Sequence, residues 1–222
     1  FFQPQGLHLS TRLEEAFEPI ELEGCQIFLL PFIDPIDARI YYKDDEDKEI
    51  QGIGDALAYI LEDMEKAFDP DKAHILVTHF AVSKKDDSDG QSLRELMLSE
   101  TSNTVGGLSN VTSDLFKAFD YVALGHLHVP QAVGGQAHIR YCGSPIPMGF
   151  GEAKQQKQVL HVAFTGRLPE INAINIPNFQ VLQRIQGDLP HIQAELKQLM
   201  QSGSTAYIEV VYQGNELVAD LS

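Results

Sequence analysis

The chain has 222 residues, 43% of them apolar, and 32 acids stand against 16 bases for a net charge of −16. That length suffices for a buried core and for one large domain or one domain with a small second one. The acidic balance argues against a strongly basic nucleic-acid-binding face, and the apolar runs "CQIFLLPF" and "YVAL" are too short to cross a bilayer.

In chain order, "FEPIELEG" and "CQIFLLPF" predict a hairpin turning near Gly24. "IDPIDARIYYKDDEDKEI" carries Pro35 and an acidic run from Asp44 to Glu49, and is read as an exposed loop. Residues 53–68 place Ile53, Leu57, Ile60, Leu61, Met64 and Phe68 on one helical face, and Asp69-Pro70 ends that helix. "AHILVTHF" then predicts a buried strand ending near His79. "SKKDDSDGQSLRELMLSETSNTVGGLSN" reads as a long loop with a helical turn or two near Leu93–Leu98. Ser113 is expected to cap a short helix, "SDLFKAF", before the buried strand "YVAL".

This αβαβ rhythm implies a sheet with helices on its faces, and ligands gather at the carboxyl ends of strands in such sheets. Two further hairpins are expected, one turning at Gly134-Gly135 and one at Thr165-Gly166-Arg167. Near Pro177 the pattern resets. "NFQVLQRIQG", the amphipathic "DLPHIQAELKQLMQ" (Leu189, Ile192, Leu196 and Leu199 on one side) and "TAYIEVVYQG" predict a small βαβ module. The expected division is 1–176 and 177–222.

The chemistry concentrates in "GHLH". In an extended segment residues two apart point the same way, so His126 and His128 can face one site, and Gly125 removes a side chain that would crowd it. Neutral imidazole suits borderline divalent metals. His79, at the end of another predicted strand, is the natural third nitrogen. His8, His74, His138, His161 and His191 sit in no such arrangement. Cys25 and Cys142 are far apart in sequence and are read as buried thiols of a reducing cytoplasm.

"THF" after an apolar strand, "ALGHLH", "YCGSP" at 141–145 and "FGE" at 150–152 together resemble the calcineurin-like metallophosphoesterases, and within them the SbcD-type nuclease subunits. "GLHLS", "LLPFIDP" and "LQRIQGDL" extend the resemblance along nearly the whole chain. The resemblance implies an α/β (α+β) fold: a metallophosphoesterase-type β-sandwich flanked by helices, followed by a small α/β capping module. It implies two divalent metals, manganese above all, with His79 and His126 on one and His128 on the other. The implied reaction is hydrolysis of DNA by metal-activated water, in double-strand exonuclease and single-strand endonuclease modes serving repair and recombination. The implied partners are DNA, an SbcC-type coiled-coil ATPase and a second copy of the chain; no membrane is implied, and the expected location is cytoplasmic. The sequence does not locate the DNA contacts: Lys84, Lys85, Lys154 and Lys157 are candidates, but scattered exposed lysines are the ordinary reading.

The family's N-terminal set, an Asp-x-His, a bridging Gly-Asp and an Asn-His-Asp turn, does not precede "GLHLS" here. The expectation is therefore a fragment lacking the N-terminal part of its catalytic domain, inactive alone and a weak manganese binder, since three imidazoles without a carboxylate suit that ion poorly. Asp86, Asp87 and Asp89 are read as surface loop. Another binuclear phosphatase or phosphodiesterase, or a non-catalytic scaffold domain, remains an alternative.

Overall fold

A computed structural model describes residues 6–83 and 111–214. Among them it shows a mixed α/β architecture built on one central sheet with few helices. The expected long loop at 84–110, with Lys84, Lys85, Asp86, Asp87 and Asp89, lies outside the described residues.

The first hairpin pairs β1 (Ile20–Leu22) antiparallel with β2 (Cys25–Leu30), turning at Gly24, whose φ of +79° favours a residue without a β-carbon. β2 buries Gln26, Phe28 and Leu30, every second residue, as a strand with one face on a core must. The segment read as loop contains α1 (Pro35–Tyr41). Pro35 stands in the first helical turn, where its missing N–H removes no intrahelical bond, and the Asp34 N–H donates to the Asp37 carboxylate at 2.8 Å. The local helix-start chemistry overrides the acidic surface character of the stretch that follows.

α2 (Ile53–Glu65) buries Ile53, Ala56, Leu57, Ile60, Leu61 and Met64, while Phe68, expected on the same helical face, lies beyond the helix end and packs partly buried against the core. Each such Leu or Ile contributes roughly 1.5–3 kcal/mol on leaving water. They share one core with Phe28, Leu30, Leu76, Val122, Leu124, Ile139 and Tyr141 of the sheet.

The next strands are β3 (Ala73–Thr78), the short β4 (Val82–Ser83) and β5 (Val111–Thr112), which pair in parallel, and β6 (Tyr121–Leu124). Ser113 is not the cap of the intervening helical turn. That turn is 3-10, spans Ser113–Phe116 and starts after Thr112, while Ser113 is buried within it and accepts a hydrogen bond from Gln136. β7 (Gln131–Val133) and β8 (Gln136–Tyr141) form the hairpin about Gly134-Gly135. The central sheet runs β1-β2-β3-β6-β8-β7, with β2, β3, β6 and β8 parallel.

β9 (Gln158–Thr165) and β10 (Leu168–Asn175) form a separate antiparallel ribbon turning at Gly166. β11 (Leu182–Gly187), α3 (Leu189–Gln201) and β12 (Tyr207–Tyr212) form the βαβ unit, its two strands parallel. Asp188 caps α3 by accepting from the His191 N–H at 3.0 Å. Cys25 and Cys142 are free thiols, but half-buried rather than buried.

Candidate metal centre

Parallel pairing of β3 with β6 decides where the histidines go. Thr78 pairs with Leu124 at the carboxyl ends of these neighbours, and the Gly125 N–H donates to the Thr78 carbonyl at 3.1 Å. His79 and the "GHLH" loop therefore leave the sheet side by side, at the end where such sheets hold ligands. The rings of His79 and His126 meet edge to face, centroids 5.4 Å apart. Leu127, 2% exposed, turns into the core between His126 and His128. Burial first, then the proximity of His79 and His128, push the His126 imidazole below its ordinary value, so it is neutral at pH 7 with a lone pair to offer. A cleft of about 380 Å³ opens beside His79, lined by His8, Leu30, Thr78, Leu124 and Gly125 among others. His8, which the sequence places in no arrangement, thus borders the same space.

His128 is held at two points. Its Nδ1 lies 2.9 Å from Oε1 of Glu152. Its carbonyl accepts from the Ser144 N–H at 3.2 Å and from the Lys157 ammonium at 3.2 Å. Glu152 and Lys157 are 2% and 4% exposed, and they form an ion pair of 2.6 Å. Burial raises the Glu152 carboxyl, but hydrogen bonds from Lys157, His128 and the Met148 N–H outweigh it and bring the group below its ordinary value. Lys157 is accordingly not an available DNA contact: its charge is buried and paired, contrary to the expectation of an exposed lysine.

"YCGSP" supplies much of this support. The Tyr141 hydroxyl donates to the Phe80 carbonyl at 2.6 Å and accepts from the Val82 N–H at 2.8 Å, fixing the chain directly after His79. Gly143 has a φ of +83°, and a β-carbon there would come within 2.6 Å of the His128 carbonyl oxygen. Sequence reasoning singled out the motif but missed these roles. The partners sit on other elements, and only the recurrence of "YCGSP" with "FGE" could have signalled them.

Imidazoles at this spacing fit as part of a divalent-metal site. They do not make a whole one: no group of three or more His, Cys, Asp or Glu residues converges as a metal cage among the described residues. A nitrogen-only set also suits zinc better than manganese, which favours oxygen donors. No helix among the described residues is long and apolar enough to cross a membrane.

No family model matches the chain. It is 34% identical over 194 residues to the SbcD subunit of the SbcCD nuclease of Staphylococcus epidermidis, a match that covers 86% of this chain and 48% of that protein. The SbcD proteins of two Escherichia coli strains are each 42% identical over 95 residues, 42% of this chain and 24% of theirs. The chain thus spans about half the length of the first of these curated relatives.

Proposed function

We propose, from the premise that this chain is a homologue of the SbcD subunits of SbcCD nucleases, that it forms part of a metal-dependent DNA nuclease of the metallophosphoesterase type. The observation that carries the reading is the juxtaposition of His79 with the His126–His128 loop at the carboxyl ends of β3 and β6. Residues 1–176 belong to the nuclease domain in this reading, and residues 177–222 to a capping module.

His79 and His126 would hold one divalent ion and His128 a second, manganese in the complete protein. Two such ions, when bound, lower the pKa of a water and stabilise both oxygens of a phosphodiester displacement. The chain's own contribution is orientation. Gly125 leaves room beside His79, Tyr141 fixes the backbone after it, and Glu152 with Lys157 fixes His128. DNA is the proposed substrate, and an SbcC-type ATPase the proposed partner, by analogy with the name of the relatives. The 222-residue chain alone is proposed to be inactive, because no group of three or more His, Cys, Asp or Glu residues converges as a metal cage among the described residues.

The test compares this chain with a full-length protein containing it, on duplex DNA with manganese. Cleavage by the full-length protein, its loss in His126→Ala, and no cleavage by the 222-residue chain are expected. Robust cleavage by the isolated chain would refute its inactivity. Full-length hydrolysis of a phosphopeptide but not of DNA would favour a phosphatase instead.

A further inference from the structure

A cavity of about 240 Å³ opens where the βαβ unit meets the loop that follows "YCGSP". Pro145 and Pro147 of that loop, Ile176 and Pro177 of the connection from β10, and Phe179 and Tyr207 of the unit line it. Pockets for drug-sized ligands run to roughly 300–1,000 Å³, so this one suits a single flat ring system. Strand register builds its aromatic side: Leu182 pairs with Tyr207, and the Tyr207 N–H donates to the Val181 carbonyl at 2.9 Å. Phe179 is 75% exposed and Tyr207 63%. One exposed ring means little, but two on the wall of one cavity mark a binding surface.

Side-chain amides supply the polar part. Gln156 Nε2 donates to the carbonyls of Lys157 at 2.8 Å and Ile176 at 3.1 Å. Gln180 Nε2 donates to those of Val181 at 3.3 Å and Thr205 at 3.2 Å. Both protons of each amide are thus spent on main-chain acceptors, and each of these lining residues has its Oε1 to offer a ligand. Gln155 is turned the other way: its Oε1 accepts from Lys157 at 2.9 Å, which leaves its NH2 as a donor. Lys157, the cationic residue of the wall, is engaged by Glu152 at 2.6 Å and Ser144 at 2.8 Å. The cavity therefore fits a neutral, flat ring that both donates and accepts, and not a phosphate.

We propose that this cavity takes one unpaired, amino-bearing nucleobase of a DNA strand, cytosine or adenine, stacked on the Phe179 and Tyr207 rings. Its exocyclic amine meets the Gln156 and Gln180 oxygens, and the neighbouring ring nitrogen meets the Gln155 NH2. Stacking on aromatic side chains holds bases without positive charge, in keeping with a chain of net charge −16. That the base belongs to DNA rests on the nuclease reading; the cavity and its donors and acceptors do not.

The test uses a full-length protein containing this chain, with divalent metal removed by a chelator so that no strand is cut. Fluorescence anisotropy compares a short labelled oligodeoxycytidine with an abasic strand of the same length, and unlabelled deoxycytidine monophosphate competes. Phe179→Ala should weaken the oligodeoxycytidine about 5- to 150-fold, the range for stacking one base, and leave the abasic strand unchanged. Phe179→Trp should keep native affinity. Photocrosslinking of a strand carrying 5-iodocytosine should label Phe179 or Tyr207.

Crosslinks confined to other residues overturn the proposal without any variant needing to fold. Equal affinity of the native protein for the two strands, or oligodeoxycytidine binding indifferent to Phe179→Ala, overturns it as well. Competition by the monophosphate at the strand's own affinity would make the ligand a free nucleotide and overturn the assignment to DNA. Intact strand binding with loss of self-association in Phe179→Ala would assign the face to a second copy instead. If the strand binds as expected but the protein with manganese restored cleaves no DNA, the nuclease reading falls and the base site stands.

Discussion

A β-carbon added at Gly125 would lie 3.0 Å from Nδ1 of His79, so the residue that follows β6 is fitted to the imidazole that follows β3. That distance is tighter than ordinary van der Waals contact. The ring, being exposed, can give way where backbone could not. Gly125→Ala is therefore expected to fold with little change in melting temperature but to turn His79 away from His126. Zinc affinity should drop on the order of 10-fold, in the range seen when a ligand's orientation is disturbed. A zinc titration beside a thermal melt checks it; unchanged affinity would show that the glycine does not shape the site.

Tyr141 is completely buried, and its hydroxyl serves two backbone groups of the segment after His79. Tyr141→Phe keeps the ring in the core but deprives the Val82 N–H and the Phe80 carbonyl of that partner. Leaving buried backbone groups unsatisfied costs roughly 1–3 kcal/mol each. Urea denaturation should show a loss in that range, and the His79 NMR signals should broaden or shift. A loss below about 0.5 kcal/mol, the low end for one net hydrogen bond, would mean other groups take over the role.

These supports explain which parts of the molecule could be read from the chain. α2 was legible because Ile53, Leu57, Ile60, Leu61 and Met64 repeat at helical spacing and all reach the core. α1 was not. It is only seven residues long, exposes Ile36 and Ile40, and is followed at once by an acidic run, so periodicity had little to work on. Its Asp34-Pro35 start was the better signal. At the site, His79 stood out at the end of an apolar run, and His126 and His128 as a pair two residues apart after Gly125. Glu152 was noted only within "FGE" and Lys157 only as a candidate DNA contact, since a lysine in "AKQQKQ" reads as surface and its burial depends on Ser144 and His128, which lie elsewhere in the chain. Chemistry that touches a ligand leaves a local pattern, whereas chemistry that holds such residues in place is distributed.

Asp120 joins three elements. Its backbone N–H donates to the His74 carbonyl at 2.9 Å, its Oδ2 accepts from the His74 N–H at 2.8 Å, and the same oxygen meets Arg167 of the β9–β10 turn at 3.0 Å. The two side-chain contacts differ in burial: His74 is 1% exposed, while the Arg167 side chain is 44% exposed. An exposed ion pair contributes about 0–1 kcal/mol, whereas an unsatisfied buried N–H costs roughly 1–3 kcal/mol. Asp120→Ala should therefore destabilise clearly more than Arg167→Ala when the two are compared by denaturation. Equal losses would assign the stabilisation to the ion pair.

Asp63 contributes to the acid response. Burial raises its carboxyl, but hydrogen bonds from Lys48, Lys66 and Tyr42 outweigh that and bring it down to about 2 from an ordinary 3.8. Lys48 and Lys66 each approach it at 2.6 Å, as does the Tyr42 hydroxyl. A carboxyl lowered in the folded state favours folding fully above its unfolded value, and that contribution is lost as pH falls through the folded value. The window lies between pH of about 4 and about 2, where the unfolded chain takes up the proton first. After allowance for solvent screening the contribution is on the order of 1 kcal/mol. Asp63→Asn removes the titrating group, so the native protein should lose more stability than the variant between pH 4 and pH 2. Parallel stability curves across that interval would show that Asp63 does not contribute to the acid response.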